Sequence, residues 1–120
     1  MPFRRELGKI VSRASGAVGA VFVDDNGETI DQFTSRGDQE DIRLVGAHQG
    51  IVLRELLRVV NRAGNGDRLQ GVSITSQNHV YSVVPVDEDN FLVLVQDQTG
   101  LPSQGMRVLE EAVEEIRALI

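Results

Sequence analysis

Three strand-like runs crowd into residues 69 to 95, "LQGVSITS", "HVYSVVPV" and "FLVLV", with only "QN" and "DEDN" between them. Connections that short cannot carry a crossover helix, so successive strands must turn back on one another as antiparallel neighbours. "FLVLV" is apolar on both faces and is expected at the centre of a sheet. "VSIT" alternates and is expected half covered or at an edge. Pro85 has no N–H for a ladder and belongs at a strand end or bulge.

A second strand pair is written into "VFVDDNGETIDQF" (21 to 33). Asn26-Gly27 suits a two-residue turn, because both residues tolerate positive φ. Val18 to Val23 is nearly continuously apolar and needs cover on both faces. In "ETIDQF", simple alternation puts Thr29, Asp31 and Phe33 on one side and Ile30 and Gln32 on the other, and a charge inside a short strand blunts a sheet edge.

Helical periodicity appears in three places. Phe3, Leu7, Ile10, Val11 and Ala14 share one arc of residues 3 to 14 at about 100° per residue, with Arg4, Arg5, Lys9, Ser12 and Arg13 opposite and Pro2 suited to the first turn. Residues Ser103 to Ile120 carry Met106, Leu109, Ala112, Val113, Ile116 and Ile120 on one face and Glu110, Glu111, Glu114, Glu115 and Arg117 outward. The longest stretch runs from about Ile42 to Ala63, with Asp38 or Asp41 as N-cap and Gly64 as a stop.

The central stretch holds more apolar surface than one sheet can cover. Val59, Val52, Val45, Ala63, Leu56, Ile42, Val60, Leu53 and Leu57 span about 160°, against the roughly 100° stripe that docks a helix on a sheet. Leu44, Ala47 and Ile51 form a further narrow patch bordered by His48, Arg54, Arg58 and Arg62. Such surface calls for more than one partner, and the Gly46-x-x-x-Gly50 pair allows a second helix to approach closely. The expected order is α-β-β-α-β-β-β-α: an α+β sandwich in one domain spanning 1 to 120, with a five-stranded antiparallel sheet, the long helix on one face and the terminal helices on the other.

Composition narrows the function. A formal charge of −6 opposes binding to phosphate backbones or anionic membranes. No apolar run reaches the roughly 20 residues of a membrane span, and "MPFRRELGKI" is unlike a secretory signal, so a cytoplasmic protein without membrane insertion is expected. With no cysteine, disulfides, thiolate metal sites and cysteine nucleophiles are excluded.

Chemistry is sparse. His48 and His79 stand apart from any ligand or acid–base spacing. Asp24-Asp25-Asn26 with Glu28 reads as a solvated turn rather than a cation loop. The glycines of "GAVGA" and "AGNGD" lack the residues that complete a phosphate loop. Ser12, Ser15, Ser73 and Ser76 have no partners for nucleophilic catalysis, and "EEAVEE" is a solvated face. A non-enzymatic protein without metal or cofactor is expected.

The element order, with "GAVGAVFVDDNGETI" after a short helix, "LVGAHQGIVLRELLRVVNRAG", and "GVSITSQNHVYSVVPVDEDNFLVLVQD" before the last helix, resembles the roadblock / dynein light-chain (roadblock/LC7) family over nearly the whole chain, and within it the small prokaryotic members such as MglB-type regulators. The resemblance implies a longin/profilin-like roadblock fold and a homodimer in which the third strands pair and the central helices lie side by side. Dimer contacts would come from Val45, Val52 and Val59, or Leu53 and Leu57, with the backbone of Val72, Ser73, Ile74 and Thr75. It further implies that the remaining helix face, Leu44, Ala47, His48, Ile51, Arg54 and Arg58, receives a small Ras-like GTPase whose nucleotide cycle or location the protein modulates. Two other readings stay open: a ligand sensor, for which the strands supply few polar residues besides Ser73, Thr75, Ser82 and Tyr81, and a purely structural dimeric adaptor.

Overall fold

The structure, a computed structural model, describes residues 2–24, 26, 28–35 and 70–120. Its elements are α1 (Pro2–Arg13), β1 (Ala17–Asp24), β2 (Thr29–Thr34), β3 (Val72–Thr75), β4 (His79–Pro85), β5 (Asn90–Asp97) and α2 (Pro102–Arg117). The helix expected over 42 to 63 lies outside the described residues.

The strands form one five-stranded sheet in the order β2-β1-β5-β4-β3, antiparallel throughout. β5 is central, as its doubly apolar pattern requires, β3 is at an edge, and Pro85 closes β4. The two apolar sets of β1 part as expected. Ala20 and Phe22 join one cluster with Leu7, Ile10, Leu92, Leu94, Leu109 and Ile116. Val21 and Val23 join Val83, Phe91, Val93 and Val95 on the other face. Both described helices contribute to the first cluster, so both pack on that face.

Two local features correct simple alternation. The last backbone bond of the first hairpin, Asp24 N–H to Glu28 O at 3.0 Å, makes the connection residues 25 to 27, one longer than the two-residue turn expected at Asn26-Gly27. The Asp24 carboxylate holds this turn, accepting the N–H groups of Asn26 and Glu28, each at 2.9 Å. The register also shifts between Phe22 and Val23, leaving Ile30 without a Cα partner, and Ile30 packs against the first cluster beside Phe33. A bulge of this kind resets which side chains share a face.

α2 begins one residue before the expected Ser103 and ends at Arg117. Gly105 and Val108 are buried on its inner face, whereas Ile120, expected there, lies beyond the helix and is exposed. Gly105 is buried because α2 passes directly over Gln96 of β5. That side chain is fully buried and donates through Nε2 to Ser15 O at 2.9 Å and Leu101 O at 3.2 Å, tying the α1–β1 corner to the start of α2. The corner itself needs a glycine: Gly16 has φ 63°, which L side chains rarely adopt.

A Cβ at Gly105 would collide with the Gln96 amide. Gly105→Ala is therefore expected to cost about 1–3 kcal/mol by overpacking. Denaturant melts of G105A, Q96A and the double variant should show a double variant more stable than the sum predicts, since shortening Gln96 makes room for the methyl group.

Candidate interaction surface

The two rims of the sheet are built differently. β2 carries Asp31, whose Oδ1 lies 3.3 Å from Arg4 Nη2 of α1, with the carboxylate only 3% exposed and the guanidinium 62% exposed. A charge turned inward at a rim is a device against pairing with another strand, and here it draws the Arg4 guanidinium to the β2 edge. β3 has no such device. Val72, Ser73, Ile74 and Thr75 include neither charge nor proline, and alternate between half-buried Val72 and Ile74 and exposed Ser73 and Thr75.

Cross-strand register orients β3. Val72 stands opposite Val83 and Ile74 opposite Tyr81, so both lie on the second face, where Val72 and Tyr81 pack against the buried valines. Ser73 stands opposite Ser82, with the two hydroxyl oxygens 3.5 Å apart. The β3–β4 turn is closed by Ser76 N–H to His79 O at 2.8 Å, and the half-buried His79 ring stacks at a tilt 6.1 Å from Tyr81. Ile74, Val72, Tyr81 and His79 thus form an apolar strip at the β3 rim, continuous with the second cluster.

Among the expected site residues, Val72, Ser73, Ile74 and Thr75 come together on this rim. Leu44, Val45, Ala47, His48, Ile51, Val52, Leu53, Arg54, Leu57, Arg58 and Val59 lie outside the described residues. Of the four polar residues considered for a ligand cavity, Ser82 alone is buried. Ser73 and Thr75 are exposed, while Asp31, Gln32 and Gln96 are buried instead. Isolated polar letters among apolar ones, as in "LVLVQD", were the only signal for Gln96.

A depression of about 300 Å³ lies at the sheet corner between Asn78, His79, Asp97, Gln98 and Thr99. Its polar groups are engaged with one another: Gln98 Nε2 donates to Asn78 Oδ1 at 2.8 Å, and Thr99 Oγ1 donates to Asp97 Oδ1 at 2.6 Å. That arrangement gives a small ligand little to hold. Among the described residues no group of three or more His, Cys, Asp or Glu side chains is placed to hold a metal ion, and no helix is long and apolar enough to cross a membrane.

On the opposite face α1 and α2 lie antiparallel. Gln104 Nε2 donates to Arg13 O at 2.8 Å and its Oε1 accepts from Ser15 N–H at 2.9 Å. Towards the other end Lys9 Nζ lies 3.1 Å from Glu6 Oε1 and 3.8 Å from Glu115 Oε2. The Glu6 carboxyl is held below its ordinary range, chiefly by a hydrogen bond with the Glu115 side chain and further by Lys9.

No protein-family model matches the chain, and no curated protein matches it by sequence. Solved structures do. MglC from Myxococcus xanthus is 23% identical over 100% of both chains, with a TM-score of 0.76. A roadblock/LC7 domain from Streptomyces avermitilis is 13% identical over 97% of this chain and 95% of that one, with a TM-score of 0.85. MglB from Myxococcus xanthus is 13% identical over 99% of this chain and 94% of that one, with a TM-score of 0.84.

Proposed function

Taking as premise the roadblock/LC7 fold that these likenesses show, we propose that the chain is a cytoplasmic homodimeric regulator or scaffold that binds a small Ras-like GTPase and modulates its nucleotide cycle or location. The observation that carries the reading is the contrast between the rims: β2 is blocked by an inward charge, and β3 is an uncharged, proline-free edge with an apolar strip beside it. An edge left open in this way is a template for a second strand, and the matching strand is β3 of a twin.

Strand pairing there extends the sheet across the dimer and brings the second faces of both subunits together. The 42 to 63 segment, read as a helix, covers that face with part of its wide apolar arc and meets its twin with the rest, through Val45, Val52 and Val59 or Leu53 and Leu57. Its outer patch, Leu44, Ala47, His48, Ile51, Arg54 and Arg58, doubled by the two-fold axis, is the platform for the GTPase. MglB and MglC are fold neighbours, and the resemblance to the roadblock/LC7 family implies such a platform. Regulation would act by shifting the GTPase switch segments between states, which requires no catalytic group from the platform.

Light scattering after size exclusion at micromolar concentration tests the dimer. Ile74→Lys places a charge in the apolar strip, and two of them near the two-fold axis, so dissociation should strengthen at least about tenfold. A chain of monomeric mass before any substitution would refute the pairing.

A further inference from the structure

The α1–α2 face has no part in that pairing, and its charges are segregated. α1 exposes Arg5, and Lys9 is half-buried beside it. α2 exposes Glu110, Glu111 and Glu114, the last paired with the exposed Arg117 of the same helix at 3.0 Å. Arg5, Glu110 and Glu111 make no ion pair among the described residues. Leu119 and Ile120, which follow directly on α2, are 42% and 62% exposed, at the end of the helix pair where α1 carries Arg5.

We infer that this face docks a second copy of the same chain, α1 of each copy over α2 of the other, with Arg5 and Lys9 opposing Glu110, Glu111 and Glu114 around Leu119 and Ile120. The argument is geometric. α1 and α2 are antiparallel neighbours of opposite charge, and a two-fold axis along the groove between them lays each basic helix on the acidic helix of the other copy. A two-fold axis across the helices lays like on like instead. Because the axis keeps each residue at its own level along the pair, and the Lys9–Glu115 contact sets that level, Lys9 and Arg5 come over the acidic C-terminal half of the other copy's α2. At the far end Arg13 meets Arg107, and like charges confine the contact to the end holding Leu119 and Ile120. There an apolar patch is rimmed by complementary charge, as in specific interfaces.

Such a contact is small and belongs with transient interfaces, and ion pairs at this exposure are screened by salt. Sedimentation velocity at about 0.1 mM protein should show species of at least twice the high-salt mass at about 50 mM salt, because each strand-paired dimer carries two such faces, weakened roughly tenfold or more at about 500 mM. Arg5→Glu alone and the pair Glu110→Arg/Glu114→Arg should each abolish the doubling, and an equimolar mixture of the two should restore it, because the mixed faces are complementary again. Leu119→Ser/Ile120→Ser should weaken it with the charges intact.

Equal wild-type mass at both salt concentrations, or charge variants that associate like the wild type, would overturn the inference. The substituted residues are exposed, so thermal melts should match the wild type. Should a reversal melt early, Glu110→Gln/Glu114→Gln gives the same reading. Strand pairing at β3 is apolar and backbone-bonded, so it persists in high salt. Ile74→Lys removes that step and leaves the salt-dependent doubling, which separates the two interfaces.

Discussion

Truncating Phe91 to alanine is expected to lower the free energy of unfolding by about 3–5 kcal/mol, measured as a fall in the urea midpoint at unchanged slope. Phe91 is fully buried, is the second residue of the central strand β5, stands opposite Val23 of β1 and Pro85 of β4, and packs with Val21, Val83, Val93 and Val95 on the second face. Removing the ring deletes apolar contacts and leaves a cavity that neighbours held by ladders on both sides cannot fill. For a domain whose total stability is about 5–15 kcal/mol, this is a large fraction. A loss below about 1 kcal/mol would mean that the second face is a loosely covered surface and not a core.

Ile51→Asp is expected to abolish capture of a nucleotide-loaded small GTPase, with a loss of about a hundredfold or more, while dimer mass and melting stay unchanged. On the proposed platform Ile51 lies at the centre of the Leu44, Ala47, Ile51 patch, and a carboxylate buried there without a partner costs several kcal/mol on binding. Arg54→Glu reverses charge at the rim of the same patch and should act chiefly on the association rate and its salt dependence. Capture unaffected by both substitutions would remove the platform. Capture lost together with the dimer would instead assign Ile51 to the subunit contact.

What the sequence could state depended on the range over which its signals act. The strands of residues 69 to 97 were legible because connections of two to four residues force antiparallel neighbours and because apolar content on one face or two tells edge from centre. β5 and β3 accordingly occupy the places that "FLVLV" and "VSIT" require. α1 was legible for the same reason: Leu7, Ile10, Val11 and Ala14 recur at helical spacing and are all buried. Alternation failed in β2, where the shift at Ile30 depends on how β1 and β2 fit and not on either strand's composition. Helical periodicity overran the end of α2, continuing to Ile120 although the helix stops at Arg117 and Ile120 is exposed.

The sequence by itself determined the five strands, their antiparallel pairing and the two apolar faces of the sheet, because turn chemistry and apolar periodicity are local and each residue carries its own signal. Tertiary structure alone decided the Gln96 tie beneath Gly105, the pairing of Asp31 with Arg4 at the β2 rim, and the placing of the basic α1 beside the acidic α2. Each of these joins residues far apart in the chain: Gln96 lies 81 positions from Ser15 and Asp31 lies 27 from Arg4. A pairing of that kind exists only once the sheet has brought its partners together, and the order of residues along the chain records the partners without the meeting.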